Sequence, residues 1–420
     1  MLRSGDPDAG GIFPGLETVA PTPRTTGMAN YYATHRVWSV HMPALAVHYD
    51  DVFLEHEAPA GAFALPADDL LAVPEAHPDS PDRIRNIRHV IEHQLDDVTT
   101  WEAVTPASRE QLTRIHDEDY LRELEAACRE ATSGVGGERL TPTTGVSERT
   151  FEAARHAAGA AIQTAERAMD AGIDEVAYAP VRPSGHHAQP GQADGFCYVN
   201  NVAVAADHVR ATGAADRVAI IDWDVHHGNG TQACFADRDD VLVVSLHNDF
   251  GVWGPQHPQT GALEERGEGD GTGYSVNVPL PPGTGDAGYA DAFERVVEPI
   301  VAAFDPDLLL VSAGQDPGHL DPMARNLVTK DGFEDLGRRV RGLASDHADG
   351  HLGIVQEGGY QQSHLPYATL GALEGALGLE SDVDEPFFVL GEYEPPARAW
   401  VDEAVEAHAG HWPIEVTDEG

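Results

Sequence analysis

The stretch Val218-Ala-Ile-Ile-Asp-Trp-Asp-Val-His-His-Gly-Asn-Gly-Thr-Gln232 changes character abruptly at its fifth residue. Its four leading apolar residues read as a strand buried on both faces, the pattern of a parallel sheet covered by helices. Asp222, Asp224 and His226 follow at i, i+2 and i+4, a spacing that in extended chain sets three side chains on one side. Ligands in open parallel sheets bind beyond the carboxyl ends of the strands, so the residues after every similar run become the ones to read.

Outward from this stretch, apolar runs bounded by turns predict further strands at 176–181, 241–246, 275–280, 308–312 and 352–355. Helical patterns alternate with them at 148–171 (behind a Ser147 cap), 201–211, 287–303, 332–344 and 365–377. Strand, helix, strand in regular order predicts an α/β domain with a mostly parallel sheet. With no linker or repeat after about residue 28, residues 28–420 read as one domain. Residues 1–27, rich in Gly, Pro and Thr, read as a disordered tail or as an extension ahead of a true start at Met28.

Four strand ends deliver unusual side chains. Run 176–181 is followed by Arg182-Pro-Ser-Gly-His186-His187, run 308–312 leads to Asp316, and run 352–355 leads to Glu357-Gly-Gly-Tyr360. Asp222, Asp224 and His226, together with Asp316, could give two carboxylates and an imidazole to one divalent metal, leaving a position for water, as in catalytic zinc sites. The adjacent imidazoles of His186 and His187, near carboxylates, can be held in different protonation states. Two glycines ahead of Tyr360 free the backbone to aim a phenol at a carbonyl oxygen that gains charge. Gly195 and Phe196 precede a helix, and Phe196 could wall a narrow channel.

Composition narrows the function classes. Of 420 residues, 26 are Lys or Arg and 70 are Asp or Glu, giving a net charge of −44. Such a surface repels phosphate backbones and anionic lipid, so nucleic-acid and membrane partners are not expected. Lys330 is the sole lysine, and lysine depletion with surplus carboxylate suits a high-KCl cytoplasm where salt screens self-repulsion. Cys128, Cys197 and Cys234 are too few for a disulfide framework, which points to a reducing, cytoplasmic location.

In order, the motifs RPSGHHA, GFCYVNN, DWDVHHGNGTQ, SAGQD and EGGY resemble the zinc-dependent histone deacetylase superfamily over roughly residues 36–380, closest to its class II branch and the bacterial histone deacetylase-like amidohydrolases. The resemblance implies the arginase/deacetylase fold, an eight-stranded parallel sheet layered by helices. It also implies hydrolysis of the acetyl-lysine side-chain amide, with an acetylated protein or small acetylated amine as substrate and a homo-oligomer as a compatible assembly. Alternatives are acetylpolyamine or other small-amide hydrolysis, and a non-catalytic acyl-lysine reader. Carried over residue by residue, the ligands of Zn2+, or of Fe2+, would be Asp224, His226 and Asp316. His187 would be the general base and then acid, His186 an electrostatic partner oriented by Asp222, Asn229 the partner of His187, and Tyr360 the carbonyl polariser. Structural K+ would use Asp222, Asp224, His226, Ser245 and Leu246 at one site, and Phe235, Arg238, Val241 and Tyr274 at another. Gly195, Phe196, Trp253 and Met323 would border the substrate channel. Polyamine-specific relatives carry Glu at the place of Met323, which weighs against a polyamine substrate. Arginase-type dinuclear manganese chemistry shares the fold, but the additional carboxylates for a second metal at that centre are missing.

Overall fold

The structure is a computed structural model that describes residues 43–59, 76–131, 138–141, 143–249, 260–387, 389 and 394–416. The readings of residues 1–27, of Met28 and of Trp253 lie outside the described residues. Among the described residues ten strands run in chain order: β1 (Ala44–Tyr49), β2 (Thr99–Ala103), β3 (Glu138–Arg139), β4 (Gly145–Val146), β5 (Glu175–Ala179), β6 (Val218–Asp222), β7 (Val241–Asn248), β8 (Ser275–Leu280), β9 (Leu308–Ala313) and β10 (Leu352–Gln356). Eight form one sheet in the order β2-β1-β5-β10-β9-β6-β7-β8. Every pairing in that sheet is parallel, while β3 and β4 make a separate antiparallel ribbon. This is the α/β architecture read from the sequence.

Period-two alternation splits each central strand between two cores. Val176 and Tyr178 of β5 and Ala219 and Ile221 of β6 join one core, and Ala177, Ala179, Val218 and Ile220 join the other. Among the described residues the α-helices run α1 (Asp82–Gln94), α2 (Arg109–Thr113), α3 (Glu118–Glu130), α4 (Thr150–Ala171), α5 (Asn201–Thr212), α6 (Asn229–Phe235), α7 (Asp286–Ala292), α8 (Glu298–Phe304), α9 (Lys330–His347), α10 (Leu365–Leu377) and α11 (Arg398–His408), and α1, α9, α10 and α11 cover the first core. The second is covered by α4 (Thr150–Ala171) and α5 (Asn201–Thr212). α4 approaches closely because its buried face is mostly alanine: Ala153, Ala157, Ala160, Ala161 and Ala165 are fully buried.

Three local expectations are corrected. Ser147 does not cap α4; the helix starts at Thr150, and Ser147 contributes its carbonyl to the Thr150 N–H at 3.1 Å. The helix expected over 287–303 is interrupted: Asp286–Ala292 is α-helical, Phe293–Val297 widens to a π turn, and Glu298–Phe304 resumes around Pro299. Proline has no N–H to continue the ladder, and the wider turn ahead of it absorbs the mismatch. Strands β1 and β2 fall outside the expected apolar runs, β2 being an edge strand of half-buried and exposed residues with none fully buried. The sheet order positions the site: β5, β10, β9 and β6 are consecutive neighbours, and their carboxyl ends open onto one rim.

Candidate metal centre and catalytic site

The chain after β6 does not stay extended. The Asp224 N–H donates to Asp222 Oδ1 at 3.0 Å and the His226 N–H to Asp224 Oδ1 at 2.9 Å, side-chain turns that curl the backbone. The i, i+2, i+4 series therefore does not act as one set, which corrects the expectation from extended geometry. The Asp222 carboxylate turns to His186 Nδ1 at 2.9 Å, and Asp224 and His226 turn to Asp316 from the end of β9. His226 Nδ1 lies 3.0 Å from Asp224 Oδ1 and 3.0 Å from Asp316 Oδ2. Each carboxylate is anchored through its other oxygen: Gly358 N–H donates to Asp224 Oδ2 at 2.8 Å, and Val225 N–H donates to Asp316 Oδ1 at 2.9 Å.

The donor set suits a divalent ion. The three candidate ligand atoms lie within 4.8 Å of one another, and all three residues are buried. Buried carboxylates this close demand positive charge. Burial alone would lower the His226 pKa, yet Asp316 and Asp224 outweigh it and push it to about 10. Burial, with Asp224 beside it, pushes Asp316 up to about 7. Glycines leave the room: a Cβ on Gly314 would run into Asp224, and one on Gly358 into Asp316 and Asp224. Two carboxylates and one imidazole match the three-ligand set of catalytic centres rather than the four-ligand set of closed structural ones.

The two adjacent histidines are held in opposite states. Burial would discharge His186, but Asp224 and Asp222 overcome it and raise its pKa well above the ordinary imidazole value. His187 is lowered well below that value by burial, then by charged His186 and His226. Its Nδ1 donates to the Asn229 side-chain oxygen at 2.7 Å, which puts the lone pair on Nε2. Asn229 Nδ2 in turn donates to Asp194 Oδ2 at 3.4 Å. The His186 and His187 ring centroids are 4.0 Å apart, and those of His187 and His226 are 5.9 Å apart.

Tyr360 closes the other side. Its N–H donates to Asp321 Oδ2 at 2.5 Å, and its ring stands edge-on to Phe196 with centroids 5.9 Å apart. Burial, only partly opposed by Arg83, raises the Tyr360 pKa well above 10, so the hydroxyl keeps its proton. Gly195 and Phe196 both have positive φ, 49° and 68°, in a tight turn closed by Asp194 and Cys197. A Cβ on Gly195 would strike the His187 ring, so glycine there lets Phe196 reach the site. Half-buried Met323 donates its N–H to Asp321 Oδ1 at 2.9 Å, one carboxylate away from Tyr360. Of the residues read as potassium ligands, Ser245 pairs in register with Asp222 and adjoins buried Leu246. Phe235 accepts the Arg238 N–H at 3.1 Å, while Tyr274 accepts the Val243 N–H at 2.9 Å beside the start of β7 at Val241.

Sequence reasoning gave no role to four buried residues. Arg83 donates through Nε to Gly359 O at 2.5 Å and through Nη2 to Glu357 O at 2.6 Å, and its guanidinium lies 4.6 Å from the Tyr360 ring centre. Asp79 is shared between Arg83 at 2.6 Å and Arg182 at 3.2 Å. Glu357 Oε2 accepts the N–H groups of Gly185 at 2.7 Å and His186 at 3.1 Å. Of the four, Arg182 and Glu357 stand within the motifs RPSGHHA and EGGY, whereas Asp79 and Arg83 lie in none.

A parallel sheet whose adjacent strand ends converge on a carboxylate–imidazole cluster, a neutral histidine and a protonated phenol has the donor set that metal-assisted hydrolysis calls for. The Histone deacetylase domain family model matches residues 77–376. The chain is 38% identical over 373 residues to Histone deacetylase 8 of Arabidopsis thaliana, covering 88% of this chain and 97% of that one. It is likewise 38% identical over 360 residues to the Histone deacetylase-like amidohydrolase of Pseudomonas aeruginosa, covering 85% and 92%. The crystal structure of the HDA15 HD domain superposes with a TM-score of 0.74 at 31% identity, covering 88% of this chain and 96% of that chain. The chain belongs to the histone deacetylase family, with the arginase/deacetylase fold, and is a hydrolytic enzyme of that family.

Proposed function

We infer that the protein is a Zn2+-dependent deacetylase that hydrolyses the N-acetyl amide of acetyl-lysine side chains in proteins. The observation that carries this reading is the convergence of buried Asp224, His226 and Asp316 with His187 and Tyr360 at the ends of neighbouring strands. Asp224, His226 and Asp316 would hold the ion; Fe2+ suits the same ligands. When bound, it would polarise the acyl carbonyl and lower the pKa of a water toward about 7.

The remaining chemistry falls to the chain's own groups. His187, neutral and oriented by Asn229, takes the proton of the attacking water on Nε2 and returns it to the leaving amine. His186, held cationic by Asp222 and Asp224, keeps His187 from charging prematurely and supplies positive potential. Tyr360 donates its hydroxyl proton in a hydrogen bond to the carbonyl oxygen as charge develops. Phe196 and Met323 border the channel that admits the acyl-lysine stem. Structural K+ bound beside Asp222, Ser245 and Leu246, and near Phe235, Arg238, Val241 and Tyr274, belongs to the same reading, as does one catalytic domain spanning 28–420 in a cytoplasmic protein.

Hydrolysis of acetylpolyamines or other small acetylated amines is the second reading, disfavoured by apolar Met323 in place of a carboxylate that would attract a polycation. The test is kcat/KM for acetate release in high KCl with added Zn2+, comparing an acetyl-lysine peptide with an acetylated polyamine and using a hydroxamate as control. The peptide should be the better substrate and turnover hydroxamate-sensitive. A polyamine preference would overturn the substrate assignment, and no turnover on either would return the site to a reader.

A further inference from the structure

Beyond the cluster on β6 and β9, a second group of metal-ligating side chains converges where no role has been assigned. His319 lies in the loop after Asp316, His364 just ahead of α10, and Glu385 in the segment after α10. Their candidate ligand atoms lie within 4.8 Å of one another. The side chains are only 4%, 1% and 8% exposed, respectively.

Glu385 is oriented toward the two rings. Its Oε2 accepts the Lys330 N–H at the start of α9, at 2.9 Å, which turns Oε1 to His319 Nε2 at 2.5 Å and His364 Nε2 at 3.0 Å. The second contact is close but lacks hydrogen-bond geometry, and His364 Nε2 is a buried nitrogen with no hydrogen-bond partner among the described residues. Two buried imidazole nitrogens thus converge on one carboxylate oxygen, which gathers three potential ligand atoms around one point. The ring centroids stand 4.7 Å apart, so both imidazoles face the same small volume.

We propose that His319, His364 and Glu385 form a second divalent-metal site, distinct from Asp224–His226–Asp316, that takes a zinc-class ion. Two imidazoles and one carboxylate are borderline-soft donors that suit Zn2+ or Co2+ better than Mg2+ or Ca2+, which take oxygen. Ligand atoms at about 2.0–2.2 Å from a tetrahedral ion are roughly 3.4 Å apart, so Glu385 Oε1, now 2.5 Å from His319 Nε2 and 3.0 Å from His364 Nε2, would draw back by about 0.9 Å from the first and about 0.4 Å from the second. The anchoring of Glu385 by the α9 backbone is the outer support that such ligands use. The ion would be a staple. It would join the loop carrying Asp316, the loop carrying Tyr360 and the segment after α10, and so hold two pieces of the catalytic rim in register.

The test is to strip the full chain with a chelator, reload it with Zn2+ in multimolar KCl, desalt, and count ions per chain by mass spectrometry. The wild-type protein should retain two ions, Asp316→Ala one and His319→Gln one. Co2+-loaded Asp316→Ala should show the visible absorption of a tetrahedral ion, and Zn2+ should raise its Tm. Should His319→Gln fail to fold, Glu385→Gln and the wild-type count carry the same information. One ion in the wild type that Asp316→Ala abolishes, or two ions that survive His319→Gln, would overturn the proposal. One ion that persists in Asp316→Ala and disappears in His319→Gln would support it while refuting the catalytic centre instead.

Discussion

Two buried charge clusters meet at the loop Glu357-Gly358-Gly359-Tyr360 and are built on opposite electrostatic plans. On one side, the Gly358 N–H is held by Asp224, in a cluster where the carboxylates of Asp222, Asp224 and Asp316 surround two imidazoles. On the other, the carbonyls of Glu357 and Gly359 are held by Arg83, in a cluster where two guanidiniums share the carboxylate of Asp79. Backbone carbonyls meet the surplus positive charge of the guanidinium cluster: Arg182 also donates to His56 O at 2.6 Å and Asp79 O at 2.7 Å. The surplus carboxylates instead raise the pKa of the histidines among them. Buried charge alone therefore does not mark a reactive centre; buried charge met by titratable groups does.

The largest effect should come from the phenol that both clusters position. Tyr360→Phe should cut acetate release by about 10²-fold or more while leaving the ion count unchanged. Unaltered turnover would sink the assigned role. Next comes the brace itself. Asp79→Asn leaves two guanidiniums buried without their anion and should cost about 3–5 kcal/mol of stability, read as a lowered denaturant midpoint. The Asp79 pKa, which burial would raise, is held well below the ordinary carboxylate range by Arg182 and Arg83. That stability is therefore present above the ordinary Asp pKa and lost only in strong acid. A variant as stable as wild type would show that the brace is dispensable. The smallest effect concerns Glu357. Burial, and then Asp222, pushes its pKa up from 4.5 to about 7. A carboxyl raised in the fold contributes stability that is present below about 4.5 and is lost as pH rises through about 7. Glu357→Gln should therefore flatten the pH dependence of Tm across that window, and an unchanged slope would contradict the assignment.

The same contrast explains what could be read from the sequence. The carboxylate–imidazole cluster was legible because its side chains follow apolar runs within a few residues, as Asp224 follows 218–221 and Asp316 follows 308–312. Strand periodicity fixes where such residues must lie. The brace was not legible, because Asp79 just precedes α1, Arg83 lies in its first turn, and the two meet Arg182 only across about 100 residues of chain. Asp194 was missed for a similar reason, since it reaches His187 through Asn229. Within the motif, the curling of the backbone after Asp222 could not be seen in the spacing, because it arises from carboxylates accepting their own neighbours' N–H groups. The edge strand β2 was hidden by its half-exposed pattern, and the π turn by a periodicity that reads straight through Pro299.

The central claim is that catalysis runs on an ion held by Asp224, His226 and Asp316. The most direct measurement is anomalous scattering at the zinc edge from crystals of protein that releases acetate from an acetyl-lysine peptide. The account predicts an anomalous peak within about 2.0–2.2 Å of His226 Nδ1 and of one oxygen each from Asp224 and Asp316. Active, zinc-dependent protein with no peak at that position would contradict it.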